Sequence, residues 1–444
     1  MHSRRMQAHL PNPAEHFDIS TIVEVSKCQG GGLMGKRETK SRIWVLAVAC
    51  LCLAPMLSHA ADNTTAVRDS LTAFAVEAYS RTEKGSYNFF FSPLSVSIAL
   101  GPVYGGARGD TEKQLASAMH IRVSQGRYHT AFAELRAKVN NAAQNSRVLL
   151  NSAKLLAVDM NYPLEVPFVA LTQKKYGSEL ARLDFGNAPD RARGRINTWV
   201  KRQTRGRIER LVEPNLVNKE TKIALINAIY FKARWEHEFN ERMTRKTPFW
   251  ITKDRKVNVP TMYLKEELSY GESDTVQVLA LPYTGHSISM LIVLPKERDG
   301  LGKVENGLTG AHLRGWLGLL APSHKNRVKV YLPKFKMEMD TNVRSILEGM
   351  GATDMFSAEK ADLSGISRNG PLFFTVALHR AGVAVDEKGT EAWAATAIAG
   401  AVGGRETSPP RPRIFRADHP FLFFIIDETN GVILFMGRLM DPTK

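Results

Sequence analysis

The stretch Ala384 to Arg416, AVDEKGTEAWAATAIAGAVGGRETSPPRPRIFR, decides how the rest of the chain is read. It leaves a β-patterned run, passes Gly389, carries small residues from Thr390 to Ala401, and ends in a Gly, Pro and Arg-rich segment of exposed character. Loops are usually built from Gly, Pro, Asn, Asp and Ser, yet Thr390 to Ala401 holds only Thr, Ala, Ile, Gly, one Glu and one Trp. Composition alone suits an Ala-rich helix or a linker. As a strand, the stretch would place Thr390, Ala392, Ala394 and Thr396 on one face and Glu391, Trp393 and Ala395 on the other. The charged and bulky side chains then share one side.

Upstream, 444 residues at 43% hydrophobic and 23% charged exclude wholesale disorder and suit one large domain or two to three ordinary ones. Residues 34–60 read as an export signal: Lys36, Arg37, Lys40 and Arg42, the apolar run Ile43 to Leu57, then Ser58-His59-Ala60 as a cleavage site. That run contains Pro55 and is shorter than the roughly 20 residues of a membrane span, the alternative reading. The expectation is a secreted or periplasmic protein whose single domain covers 61–444, with residues 1–33 a leader of doubtful status. Cys28, Cys50 and Cys52 all precede Ala61, so an exported form would carry no disulfide or thiolate chemistry.

The formal net charge is +16, which favours anionic partners in general. Its densest run includes Arg191, Arg195, Arg202 and Arg205, with Ile196, Trp199 and Val200 at helical spacing. The plain reading is a surface helix with a solvated basic face, and a polyanion site is the alternative.

Val67, Leu71, Phe74, Ala75 and Ala78 form an amphipathic helical pattern. Ser92-Pro93 caps a second helix to about Tyr104, and a third runs from Asp110 or Thr111 to about Met119. Helical patterns at 128–143, 165–176, 190–203 and 340–349 alternate with strand patterns at 148–158, 222–232, 275–281, 287–294, 327–333, 373–385, 421–427 and 431–437. The fold class is α+β, with helices first and strands crowding the C-terminal half.

A search for catalytic machinery fails. Gly30, Gly32 and Gly35 satisfy GxGxxG but lack the βαβ context. Gly365 to Gly370 has one residue too many for a nucleophile elbow, and His237-Glu238 lacks the second histidine of a zinc helix. His286, His312, His324, His379 and His419 are scattered, so neither a catalytic residue nor a metal or other cofactor is expected.

Six co-linear blocks carry a resemblance instead. They are Asn88–Leu100 with Gly105–Thr111, Asn227–Trp235, Leu332–Phe335, Ala361–Ile366, Asp386–Ala392, and Asp418–Phe423 through Leu434–Arg438. Spanning roughly 66 to 442, the chain resembles a serpin, a suicide inhibitor of serine proteases, of a bacterial-type exported kind. The resemblance implies about nine helices and three β-sheets, with an exposed reactive-centre loop, about 387–416, able to enter the central sheet as a strand.

It also implies a role for each part. A protease cuts the loop and forms an acyl-enzyme; the freed end threads into the sheet, carrying the trapped enzyme with it. Glu387, Gly389, Thr390, Glu391, Ala392, Trp393, Ala394, Ala395 and Thr396 would be the hinge. Ser92, Ser95, Asn151, Asn227 and His379 would line the region where the sheet opens, with Trp235 near the loop's entry and Lys334 pairing Glu387. Trp393 departs from the small residues the family prefers there, but falls on the outer face with Glu391.

Two readings of the scissile bond compete. The family's usual count from Glu387 lands on Gly403, so cleavage among Val402, Gly403 and Gly404 would suit an elastase-like target. Arg405-Glu406 would suit a trypsin-like one, and it shortens the return to His419-Pro420; this bond is preferred. The mature protein would be a monomer with a serine protease as partner. A non-inhibitory carrier or storage protein is the alternative function.

Overall fold

The computed structural model describes residues 63–82, 85–320, 325–390 and 411–444. All of these residues belong to one compact unit. The candidate leader, the loop residues Glu391 to Pro410 and the side chain of Asn151 lie outside the described set.

Nine α-helices occur among the described residues: α1 (63–80), α2 (Pro93–Gly106), α3 (Gly109–Ala118), α4 (Gln125–Asn145), α5 (Val166–Leu171), α6 (Pro189–Gln203), α7 (Leu301–Asn306), α8 (Gly310–Gly318) and α9 (Val343–Gly349). In α2 the cap works as its sequence suggests, because the Ser92 side chain accepts from the Ser95 backbone N–H and Pro93 occupies the first turn. The helical pattern at 340–349 starts three residues late. Phe335–Asn342 is a strand whose Phe335 and Met337 are buried, and Asn342 caps the helix that follows by accepting from Ser345 N–H.

One sheet has the order β10 (Phe335–Asn342), β11 (Phe374–Asp386), β12 (Gly389–Thr390), β4 (Ile223–Arg234), β2 (Leu149–Asp159) and β3 (Glu179–Leu183). A second set runs β1 (Phe89–Phe91), β15 (Val432–Leu439), β14 (Phe421–Asp427), β8 (Ile288–Pro295), β7 (Val276–Pro282), β6 (Lys256–Glu272), β9 (Lys325–Pro333) and β13 (Arg413–Arg416), with β5 (Arg245–Trp250) also on β6. Two ladders share β6: Tyr270–Glu272 pair with β7, whereas Thr261–Ser269 pair with β9.

Strand β4 shows why the first sheet is central. Its Ile223, Leu225, Ile229 and Phe231 belong to the large core, while Ala224, Ile226 and Ala228 pack with Ala192, Ile196 and Val200 of α6. Burial on both faces explains a nearly continuous apolar run. Asn227 interrupts the large-core row, and its partners define the site.

Candidate functional site

Below its upper end the central sheet is closed. Strand β11 pairs in parallel with β4, from Phe374 against Ile223 to Gly382 against Tyr230. Above that point the two strands part around β12: Gly389 and Thr390 pair with Asp386 and Val385 on one side and with Arg234 and Ala233 on the other. The loop's first two strand residues therefore already sit between the strands.

Several groups hold this turn. Asp386 turns the chain by accepting from the backbone N–H of Lys388 (2.9 Å) and Gly389 (3.2 Å). Glu387 is buried; its carboxylate accepts from Lys334 Nζ and from Thr244 Oγ1, each at 2.7 Å. Burial alone would raise the Glu387 carboxyl, but the Lys334 and Thr244 hydrogen bonds outweigh it and hold the group below its ordinary range. A Cβ on Gly389 would lie 2.1 Å from Ala233 O, so only glycine fits. Thr390 is fully buried, its hydroxyl 2.8 Å from the Tyr283 hydroxyl. Trp235 stacks on the same Tyr283 ring at 4.6 Å and donates its indole N–H to Asp386 O at 3.0 Å.

Lower in the seam, His379 stands opposite Asn227. Ser92 N–H donates to His379 Nε2 (3.0 Å), so the neutral ring carries its proton on Nδ1 and donates it to Asn227 Oδ1 (2.5 Å). Asn227 Oδ1 also accepts from Ser95 Oγ (3.0 Å), and Asn227 Nδ2 donates to Ser95 O (3.1 Å). Ser92 Oγ completes the set by donating to Leu434 O at 2.6 Å. All four side chains are buried, and burial pushes the His379 imidazole down to about 3. A protonated Nε2 would face another donor.

Ser92, Ser95, Asn227 and His379 thus meet in one network, and Glu387, Gly389, Thr390, Trp235 and Lys334 meet around the turn into β12. Asn151 is apart: it pairs with Tyr230, whereas the residue opposite Asn227 on β2 is Lys154. Glu391 through Thr396 and the bond candidates Val402 through Glu406 lie outside the described residues. Arg191, Arg195 and Arg202 are exposed on α6, with Arg205 exposed just beyond it. Sequence reading missed Tyr283 and Thr244, which lie 107 and 143 residues from their hinge partners and carry no local signal. No group of three or more His, Cys, Asp or Glu among the described residues is arranged to hold a metal ion.

A family model described as serpin (serine protease inhibitor) matches residues 69–442. The chain belongs to the serpin family. It is 39% identical over 381 residues to a leukocyte elastase inhibitor of Equus caballus, covering 84% of this chain and 98% of that one. An uncharacterized serpin-like protein of Methanosarcina acetivorans is 36% identical over 83% of this chain and 86% of its own length. Uncleaved ovalbumin superposes with a TM-score of 0.75 at 30% identity, over 85% of this chain and all of that one. These likenesses make the protein a protease inhibitor by family rather than a catalytic enzyme.

They also correct two expectations. The relatives named are a vertebrate and an archaeal protein, which does not support a bacterial-type exported member. Secretion or a periplasmic location is overturned as well: with 98% of the horse inhibitor matched, that relative has no room for a counterpart of residues 34–60. Among the described residues no helix is long and apolar enough to cross a membrane.

Proposed function

We propose that the protein is a suicide inhibitor of serine endopeptidases with an elastase-like target. The observation that carries this reading is the seating of Gly389 and Thr390 between β11 and β4, where a cut loop would continue inward. The target's serine attacks the loop and forms an acyl-enzyme, freeing the hinge from its tether. Because Thr390 points into the core, alternation in an inserted strand would send Ala392, Ala394 and Thr396 inward and Glu391, Trp393 and Ala395 outward. Small inward residues enter a close-packed interior without overpacking it.

Insertion must separate the parallel pairs from Phe374–Ile223 to Gly382–Tyr230, with the His379–Asn227 contact among them. Each lost backbone bond is remade to the incoming strand, and the short polar side chains of Ser92, Ser95 and Asn227 exchange partners as the seam parts. The trapped enzyme is carried along before deacylation. The inhibitor acts as a monomer, and Arg191, Arg195, Arg202 and Arg205 present a basic surface for a polyanion.

The elastase inhibitors among the relatives favour a bond within Val402 to Gly404, where side chains are small. Arg405 supports a second, trypsin-like reading because it is the single basic residue between Thr390 and Pro409. Incubation with an elastase and with trypsin, resolved on a denaturing gel, tests both. A covalent complex is expected; clean cleavage without one would indicate a substrate or carrier and refute inhibition. A released fragment beginning at Gly403 or Gly404 supports the elastase-like target, and one beginning at Glu406 replaces it with the trypsin-like target.

A further inference from the structure

A cavity of about 80 Å³ lies where β2 and β4 meet α2, α4 and β15. Leu94, Ile98, Val139 and Phe435 give it apolar walls, yet Arg136 and Lys154 also line it, and no described lining residue is acidic. Lys154 has neither an ion pair nor a hydrogen-bond partner among the described residues. Arg136 donates one Nη1 bond to Tyr176 O (2.9 Å), and its buried Nε has no partner. Two cations therefore share a mostly apolar recess uncompensated, an arrangement that costs stability unless a counter-charge arrives. Burial, and then the charge of Arg136, push Lys154 down to about 8, so it remains a cation at neutral pH.

The surrounding backbone is unusual in the same place. Thr172–Tyr176 forms a π-helical turn, a rare geometry found disproportionately at functional sites. Gly177 follows at φ +60°, where a Cβ would stand 2.7 Å from Arg136 Nη1, so the turn is shaped around the guanidinium. His129 Nε2 and Ser178 Oγ, next to this turn, are also buried without partners, while His129 Nδ1 contacts the Tyr176 hydroxyl at 2.5 Å. Native structures leave few such groups unsatisfied.

We propose that this cavity binds a small amphiphilic carboxylate, its head on Arg136 and Lys154 and its short apolar tail against Leu94, Ile98 and Val139. The guanidinium fork suits a carboxylate, and the second cation adds charge without fixing geometry. The volume limits the buried tail to a few carbons, by comparison with the roughly 150 Å³ cavity that takes benzene.

Butanoate, butanamide, butylammonium and acetate, each titrated calorimetrically into the full chain near pH 7, test the assignment. Butanoate should bind saturably at one site and raise the unfolding temperature. Butanamide and acetate should each bind at least about tenfold more weakly, the first lacking the charge and the second the tail, and butylammonium should not bind. Lys154→Met and Arg136→Met should each weaken butanoate by about tenfold or more. Lys154→Met removes a half-buried, unpaired cation and should unfold at no lower temperature than wild type, so its lost binding is not lost folding. Equal binding of butanamide or acetate, unchanged affinity in both variants, or no saturable butanoate binding would overturn the proposal. The readout is binding alone, so it is independent of whether the protein traps a protease.

Discussion

Replacing Thr390 with arginine should turn the inhibitor into a substrate of its target. Thr390 is fully buried between β11 and β4, with Tyr283 at 2.8 Å as its side-chain partner. An arginine there brings a guanidinium with no carboxylate among these contacts, at several kcal/mol for a buried unpaired ion. The arginine therefore unseats β12 before cleavage, and burying it again on insertion, at about 4 kcal/mol and a factor of ten for each 1.4 kcal/mol, slows insertion about a thousandfold relative to deacylation. Cleavage itself should proceed at the wild-type rate. Thr390→Val is the control: it deletes one hydroxyl and strands that of Tyr283, a loss of about 1 to 3 kcal/mol, so stoichiometry should rise much less. Titration against a fixed amount of protease, with the products separated on a denaturing gel, reads both. If the arginine variant traps protease at the wild-type stoichiometry, the inward register of Thr390 is wrong.

Gly389→Ala should expel the hinge, because its Cβ would fall 2.1 Å from Ala233 O; faster amide exchange at Thr390 and Ala233 would show it, and unchanged protection would count against the seating. Asn227→Ala removes the acceptor of His379 Nδ1 and of Ser95 Oγ, and should lower stability by about 2 to 4 kcal/mol, read by denaturant titration. Acid should also loosen the seam. Burial holds the His379 pKa at about 3, so the unfolded chain gains a proton near pH 6.5 that the folded chain refuses. Its effect is nil above about pH 6.5, and stability falls by up to about 1.4 kcal/mol per unit between there and pH 3. His129, pushed down to about 4, acts in the same direction, so the test is the difference in slope between wild type and His379→Gln. Equal slopes from pH 6 to 4 would remove His379 from this account.

Period and capping made much of the fold legible. The 3.6-residue apolar repeats of α1 and α6, the Ser92-Pro93 start of α2 and the apolar runs of β4, β8, β14 and β15 are all local patterns, and each element occurs where its pattern lies. Two helices escaped notice: α7 and α8 are short and contain Gly302, Gly310, Gly315 and Gly318, which local rules assign to turns. The small-residue alternation likewise gave Thr390 a face without any knowledge of its neighbours. Strands β3, β5, β6 and β10 also lay outside the patterns, so sequence alone determined many of the helices and strands but not all, and which side of a strand is acceptable to a core, because both follow from backbone geometry repeated over a few residues. Which strands adjoin was decided by tertiary structure. His379 reaches Ser92 across 287 residues and Asn227 across 152, and Thr390 finds Tyr283 across 107. Arg136 and Lys154 likewise share a cavity only because α4 packs behind β2. Such meetings depend on strand order and register across the whole sheet, and no local periodicity encodes them.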